Sequence, residues 1–300
     1  MRGRAIGVTA LSRAILGLLI LGLAACGSSR PRPIVVGSKN FTEQSILGEL
    51  LAQQIERATG LTVERRFYLA GSYICQQAIL AGRIDLYVEY TGTALTALLK
   101  EPPSSDPARV FARVRDEYAR RFGLEVLPSL GFNNTFAMVV RGDDARRLGL
   151  KTLSQLAAHS SEWRLGVGFE FLERPDGYAG MVKAYGLDFR QSPRVMDLGL
   201  IYRALREKQV DVVAGNSTDG LIAALGLVVL ADDRNYFPPY EAVPVVRRET
   251  LHEFPALRGA LGALAGKISE EDMRRMNYEL DGKRREVRDV AAEFLRLHPN

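Results

Sequence analysis

Cysteine is scarce in this 300-residue chain, occurring only as Cys26 and Cys75. Cys75 is the one cysteine beyond the N-terminal region, so an intramolecular disulfide in the folded part is excluded and a buried, inert thiol is its expected role. Histidine is almost as rare: His159, His252 and His298 are scattered and show no metal-ligand spacing, which argues against a zinc site. No long block of like charge is present. The net charge of +5 comes from 40 Lys+Arg against 35 Asp+Glu, spread along the chain with a basic excess only at its start, which argues against a nucleic-acid partner. No apolar run reaches the roughly 20 residues of a membrane-spanning helix. What is present, 47% hydrophobic and 25% charged residues, is the composition of a soluble globular protein of about two domains.

The longest apolar run, Ala14 to Leu23, follows Arg2, Arg4 and Arg13 and stops at Ala24-Ala25-Cys26-Gly27. That is the pattern of an export signal, to be removed before the fold is considered. Leu23-Ala24-Ala25-Cys26 resembles the lipobox of bacterial lipoproteins, which implies lipidation of Cys26 and a protein held at a membrane on the periplasmic side. Residues 1–26 are thus expected to be the signal peptide and 27–33, rich in Ser, Arg and Pro, a tether.

Beyond the tether the periodicities alternate. Ile34 to Gly37 predicts a strand, and Ile46, Leu47, Leu50, Leu51 and Ile55 have helical spacing, with Asn40 and Glu43 as an expected capping pair. Val63 to Phe67 predicts a strand, Tyr73 to Leu80 a helix, and Ile84 to Tyr90 a strand running into Thr91-Gly92-Thr93 and another apolar helix. A second α/β unit is expected from Phe136 to Leu225, with strands at Phe136 to Val140, Arg164 to Val167 and Val210 to Val213. Val228 to Leu230 and Ala242 to Val246 predict strands around Pro238-Pro239, and the remainder is helical, with Ser269 and Asp272 as a capping pair.

In open α/β sheets, ligands bind at the carboxyl ends of strands. Four such junctions carry unusual polar residues: Ser38-Lys39-Asn40, Tyr90 to Thr93, Phe169 to Arg174, and Asn216 to Asp219. Asn40, Thr91 and Asp219, taken singly, are expected to be helix caps. Lys39, Tyr90 and Arg174 have no use as caps and need another explanation. Glu43, Asp85, Glu89 and Glu170 could be imagined as the acid and base of an enzyme. No nucleophile elbow, phosphate loop or metal motif accompanies them. Glu43 is expected to be a cap and Glu89 a solvated strand residue.

Gly37-Ser-Lys-Asn-Phe-Thr-Glu-Gln44, Asp85-Leu-Tyr-Val-Glu-Tyr-Thr-Gly-Thr93, Gly131-Phe-Asn-Asn134, Glu170-Phe-Leu-Glu-Arg-Pro-Asp-Gly177 and Ser217-Thr-Asp-Gly220 appear in that order. With them the chain resembles the glycine betaine/choline-binding family of the osmoprotectant ABC importers, from about Ile34 to the C-terminus. The resemblance implies an α/β, two-lobed periplasmic-binding-protein fold of type II with the ligand in the inter-lobe cleft. One lobe would be 34–133 plus 239–300 and the other 134–238. It implies binding without catalysis and without a cofactor, by a monomer that delivers a quaternary-ammonium zwitterion to the permease and cytoplasmic ATPase of an ABC importer. Tyr90, Phe136 and Tyr240 fall where the family places walls of an aromatic box, and Lys39, Thr93 and Arg174 where it grips the ligand carboxylate. Asn134 falls on a position of nearby polar contact.

The chemistry agrees with that assignment. A quaternary ammonium has no N–H to donate, so it is recognised by ring faces, each worth about 0.5–2 kcal/mol; a carboxylate is met by an Arg fork, a Lys charge and a hydroxyl. Two positions depart from the family: Phe136 stands for a Tyr and keeps the ring face, while Asn216 replaces a further Tyr, removing a wall and supplying an amide. Either glycine betaine is held weakly or the preferred ligand presents a polar group to Asn216. A different small zwitterion, or a sensor lipoprotein of the same fold, remains an alternative.

Overall fold

The computed structural model describes residues 31–298; the expected signal peptide, Cys26 and most of the tether lie outside the described residues. Among the described residues, ten strands form two five-stranded mixed sheets. The first contains β1 (Ile34–Lys39), β2 (Val63–Ala70), β3 (Leu86–Tyr90), β4 (Leu124–Val126) and β10 (Ala242–Arg247), in the order β2-β1-β3-β10-β4. The second contains β5 (Phe136–Arg141), β6 (Leu165–Val167), β7 (Arg194–Val195), β8 (Val212–Asn216) and β9 (Leu227–Leu230), in the order β7-β6-β8-β5-β9. In each sheet the βαβ units supply parallel pairs, β1 with β2 and β3, and β6 with β7 and β8. The strand that enters after a crossing, β10 or β5, pairs antiparallel on both sides. A strand buried on both faces reads as an apolar run rather than an alternation, as in β10; β3 is buried throughout although it carries Glu89.

The helices pack on these sheets for reasons visible in their ends. Thr42–Thr59 buries Ile46, Leu47, Leu50, Leu51 and Ile55 and stops at Gly60, whose φ is 69°. Its N-cap is Phe41, with no side-chain capping bond, so the expected Asn40–Glu43 pair is not formed; Glu43 is turned inward instead. Ser269 and Asp272 do form a capping box at the start of Glu270–Asp281. Pro107–Phe122 is a helix not anticipated from the periodicity, although its sequence marks both ends: the Asp106 carboxylate accepts from Arg109 N–H at 3.2 Å, Pro107 opens the first turn and Gly123 closes it with φ of 65°. Cys75 is buried, and burial pushes its thiol up to about 12, in keeping with an inert role.

The chain passes between the sheets through 127–135 and returns through 231–241. The two passing segments are joined to each other: Asn133 and Glu241 form an antiparallel bridge, Asn134 N–H donates to Tyr240 O at 3.0 Å, and Tyr240 N–H donates to Asn133 Oδ1 at 2.6 Å. Gly131 lies in the first passing segment with φ of 118°, and a Cβ there would stand 2.8–2.9 Å from the main chain of Gly266 and Ile268. Gly131→Ala is therefore expected to lower unfolding free energy by about 1–3 kcal/mol, read as a lower urea midpoint at unchanged slope; an unaltered midpoint would show that this segment yields freely.

Candidate functional site

The carboxyl ends of β1, β3, β6 and β8 face one cleft between the sheets. It encloses about 640 Å³ and is lined by all eight residues singled out from the sequence: Lys39, Tyr90, Thr93, Asn134, Phe136, Arg174, Asn216 and Tyr240. Lys39 ends β1 and Tyr90 ends β3, while Thr93 sits in the helical turn that follows. Phe136 opens β5 directly opposite Asn216 at the end of β8. Tyr240 precedes β10 in the return segment, and its ring lies against the main chain of the Thr91–Thr93 turn because position 92 is glycine: a Cβ there would stand 2.7 Å from the ring.

Three rings meet around Phe136. Its centroid is 4.9 Å from that of Phe171, 5.7 Å from Tyr240 and 5.8 Å from Phe237. Tyr90 stands apart from this group, stacked at 6.4 Å on Phe41. Phe41 and Phe171 also line the cleft and were missed in the sequence; each lies inside a motif quoted above, next to a residue that was noticed. The ring faces carry cations: Arg174 Cζ is 4.7 Å from the Phe136 centroid and 5.5 Å from that of Tyr240, and Lys39 Nζ is 4.7 Å from Tyr90.

Both cations are neutralised by buried carboxylates, neither of which was expected as an ion-pair partner from the sequence. Lys39 Nζ donates to Glu89 Oε1, with both side chains almost fully buried. Glu89 is thus not the solvated strand residue expected; it also accepts from Tyr87 O–H at 3.2 Å and from Tyr90 N–H at 2.7 Å. Arg174 donates through Nε and Nη2 to Asp176 at 2.9 and 2.6 Å, and through Nη1 to Thr93 Oγ1 at 2.8 Å. Burial works to raise the Asp176 carboxyl, but Arg174 and the Tyr240 hydroxyl hold it below the usual range. One edge of the guanidinium is consumed by this fork and Nη1 also donates to Thr93, leaving two of its five N–H groups for another acceptor.

Behind the cleft lies a second carboxylate centre. Glu43 is 1% exposed and accepts from Tyr90 O–H at 2.5 Å, Asn134 Nδ2 at 2.8 Å, Thr218 Oγ1 at 2.5 Å and Asn277 Nδ2 at 3.1 Å. Burial pushes its carboxyl up, and the four donors oppose that shift. The capping role expected for Glu43 is replaced by this one. Asp219 and Thr91 are not caps either. Asp219 accepts from Tyr202 O–H at 2.5 Å and Asn216 N–H at 2.9 Å, and Thr91 Oγ1 links Pro239 O to Glu241 N–H. Loss of solvent raises the Asp219 carboxyl to about 7, Glu43 adding its charge against the hydrogen bonds from Tyr202 and Asn216. At the cleft mouth Glu170 crosses between the sheets, accepting from Ser72 N–H at 2.5 Å at the start of helix Ser72–Leu80, and Tyr68 O–H reaches Asp197 at 3.4 Å.

A model of the substrate binding domain of ABC-type glycine betaine transport systems matches residues 32–297. The chain belongs to that family. It is similar to the carnitine transport binding protein OpuCC of Listeria monocytogenes, with 39% identity over 275 residues, 91% of this chain and 89% of that protein. It is also similar to a glycine-betaine-binding protein of Pseudomonas aeruginosa, with 34% identity over 292 residues, 94% of this chain and 93% of that one. A crystal structure described as a glycine betaine/carnitine/choline ABC transporter superposes with a TM-score of 0.72 at 39% identity, covering 88% of this chain and 98% of that one. The two-lobed α/β architecture expected from the sequence is thus the fold of its relatives, with one sheet in each lobe, and the protein is a substrate-binding component of an ABC importer.

Two outcomes follow for the buried charges. Glu89→Leu strands the Lys39 charge and is expected to cost about 3–5 kcal/mol, while Lys39→Met combined with Glu89→Leu recovers most of it; urea unfolding of both would show a purely local packing effect if the double variant is no better than the single. Because the folded-state pKa of Asp219 is raised, its contribution to stability is complete below about pH 4 and is lost as pH rises through about 7. Asp219→Asn should therefore gain on the native chain between pH 4 and 8, and a pH-independent difference would count against the shift.

Proposed function

We propose that the protein binds a net-neutral quaternary-ammonium zwitterion of the glycine betaine and carnitine class in this cleft and hands it to the membrane permease of its importer. The observation that carries the reading is the charge pattern: a cleft walled by Phe136, Tyr240 and Tyr90 holds two cations, each cancelled by its own buried carboxylate. A cleft neutral at its centre suits a ligand of zero net charge, with ring faces for a head that cannot donate hydrogen bonds and the remaining Arg N–H groups, a Lys and a Thr hydroxyl for a carboxylate. Lys39, Tyr90 and Thr93 would meet the ligand from lobe 34–133 plus 239–300, Arg174 and Asn216 from lobe 134–238, with Asn134, Phe136 and Tyr240 at the passing segments. Contacts from both sides give the closed arrangement its differential affinity.

The finer assignments of partner and place belong to the same reading. Lipidation at Cys26 would hold a monomer on the periplasmic side of a membrane. Ile74, Phe169 and Val195, each at least 50% exposed, line the cleft on both lobes and offer the permease an apolar rim.

Calorimetric titration of residues 27–300 with glycine betaine, choline, carnitine and ordinary amino acids tests the class. At least one quaternary ammonium should bind and amino acids with a free ammonium should not; the reverse would mean a cleft rebuilt for another solute. Arg174→Ala is expected to weaken carboxylate-bearing ligands about ten- to a hundredfold more than choline, and equal losses would remove Arg174 from the carboxylate grip.

A further inference from the structure

Two amides in the cleft wall are tied down at one end only. The Nδ2 of Asn216 faces the Asp219 carboxylate, 3.5 and 3.4 Å from its two oxygens, and that carboxylate is itself fixed by Tyr202 and the Asn216 main chain. A carboxylate attracts an amide N–H and repels an amide oxygen, so Asp219 dictates which end of the side chain turns away. Asn134 repeats the arrangement: its Nδ2 is bound by buried Glu43 at 2.8 Å, while its Oδ1 is buried with no hydrogen-bond partner. Both residues line the cleft. Asn216 is moreover the direct cross-strand partner of Phe136, which places the two side chains on the same face of the sheet, about 5 Å apart at Cβ.

We propose that these two carbonyl oxygens make the cleft selective for a quaternary-ammonium zwitterion carrying a hydroxyl close to its cationic head, over one that has no donor. The inference rests on the ligand class argued above and narrows it. A trimethylammonium carboxylate without a hydroxyl presents nothing that can donate, so the Asn134 oxygen stays unmet and the Asn216 oxygen becomes so when the ligand displaces water, and an unmet buried acceptor is costly. A hydroxyl one or two carbons from the nitrogen lies within reach of a wall adjoining the Phe136 ring and satisfies one of them. Asn216 thus trades aromatic area for an acceptor, and Asp219 and Glu43 are positioning residues that keep the oxygens free.

The test is a matched pair, carnitine and its 3-deoxy analogue, which differ only in the hydroxyl, titrated into residues 27–300 at mildly alkaline pH so that Asp219 is ionised. The native chain is expected to bind carnitine about tenfold more tightly or better. Asn216→Leu should bring the ratio close to one, and Asp219→Asn, which no longer dictates the amide's orientation, should lower it part-way. Because both ligands are titrated into the same variant, a loss of folding stability cancels from the ratio. Equal affinities in the native chain would overturn the selectivity while leaving the ligand class standing. A ratio that survives Asn216→Leu would overturn the role of Asn216. Binding of neither ligand would overturn the class and the inference together.

Discussion

The need to satisfy one buried carboxylate organises the centre of this molecule. Glu43 sits on helix Thr42–Thr59 with almost no access to water, and its donors come from four distant places: Tyr90 at the end of β3, Asn134 in the first passing segment, Thr218 after β8 and Asn277 in helix Glu270–Asp281. A carboxylate out of water without partners is far more costly than any single contact here is favourable. The donors therefore have to arrive together, and their arrival fixes both lobes, one passing segment and helix Glu270–Asp281 against one another. The residues that line the cleft are held from behind by this requirement.

The same logic recurs in front of it. Lys39 and Arg174 reach the cleft as ion pairs whose second members, Glu89 and Asp176, are buried beside them. The pairing fixes the direction of each cation and removes most of its field, so that selectivity depends on donors, acceptors and ring faces at short range rather than on net attraction. Tyr240 shows how tightly the parts are linked: its hydroxyl bonds Asp176 at 2.5 Å, its ring faces Arg174 and its main chain joins the two passing segments.

How much of this could be read in the sequence depended on whether the signal was local. Eight of the ten described strands, most helices and the Ser269 capping box rest on periodicity and short-range chemistry and lie within about three residues of where they were expected; the short strands β4 and β7 were not anticipated. The cleft residues were legible because whole motifs carried them. What escaped is the identity of partners. Asn40 and Glu43 have the spacing of a cap, and only the third dimension shows that Glu43 has better donors 47 to 234 residues away. Glu89 alternates as a solvated strand residue would, yet its strand is buried on both faces. Asp176 follows Arg174 by two residues, an ordinary surface pairing by sequence that burial turns into a structural fork. Helix Pro107–Phe122 was announced by its Asp-Pro start and Gly stop, signals that weigh little until a helix is being sought there.

The bond from Glu170 to the first turn of helix Ser72–Leu80 closes the cleft mouth without involving anything bound inside. A contact of that kind raises the fraction of molecules already shaped to hold a solute, and apparent affinity scales with that fraction for every solute alike. It cannot sharpen the choice among solutes, and it lengthens the time each one stays. In a carrier that must later surrender its cargo, such a clasp sets a floor under the dwell time, and the work of opening it falls to the membrane partner.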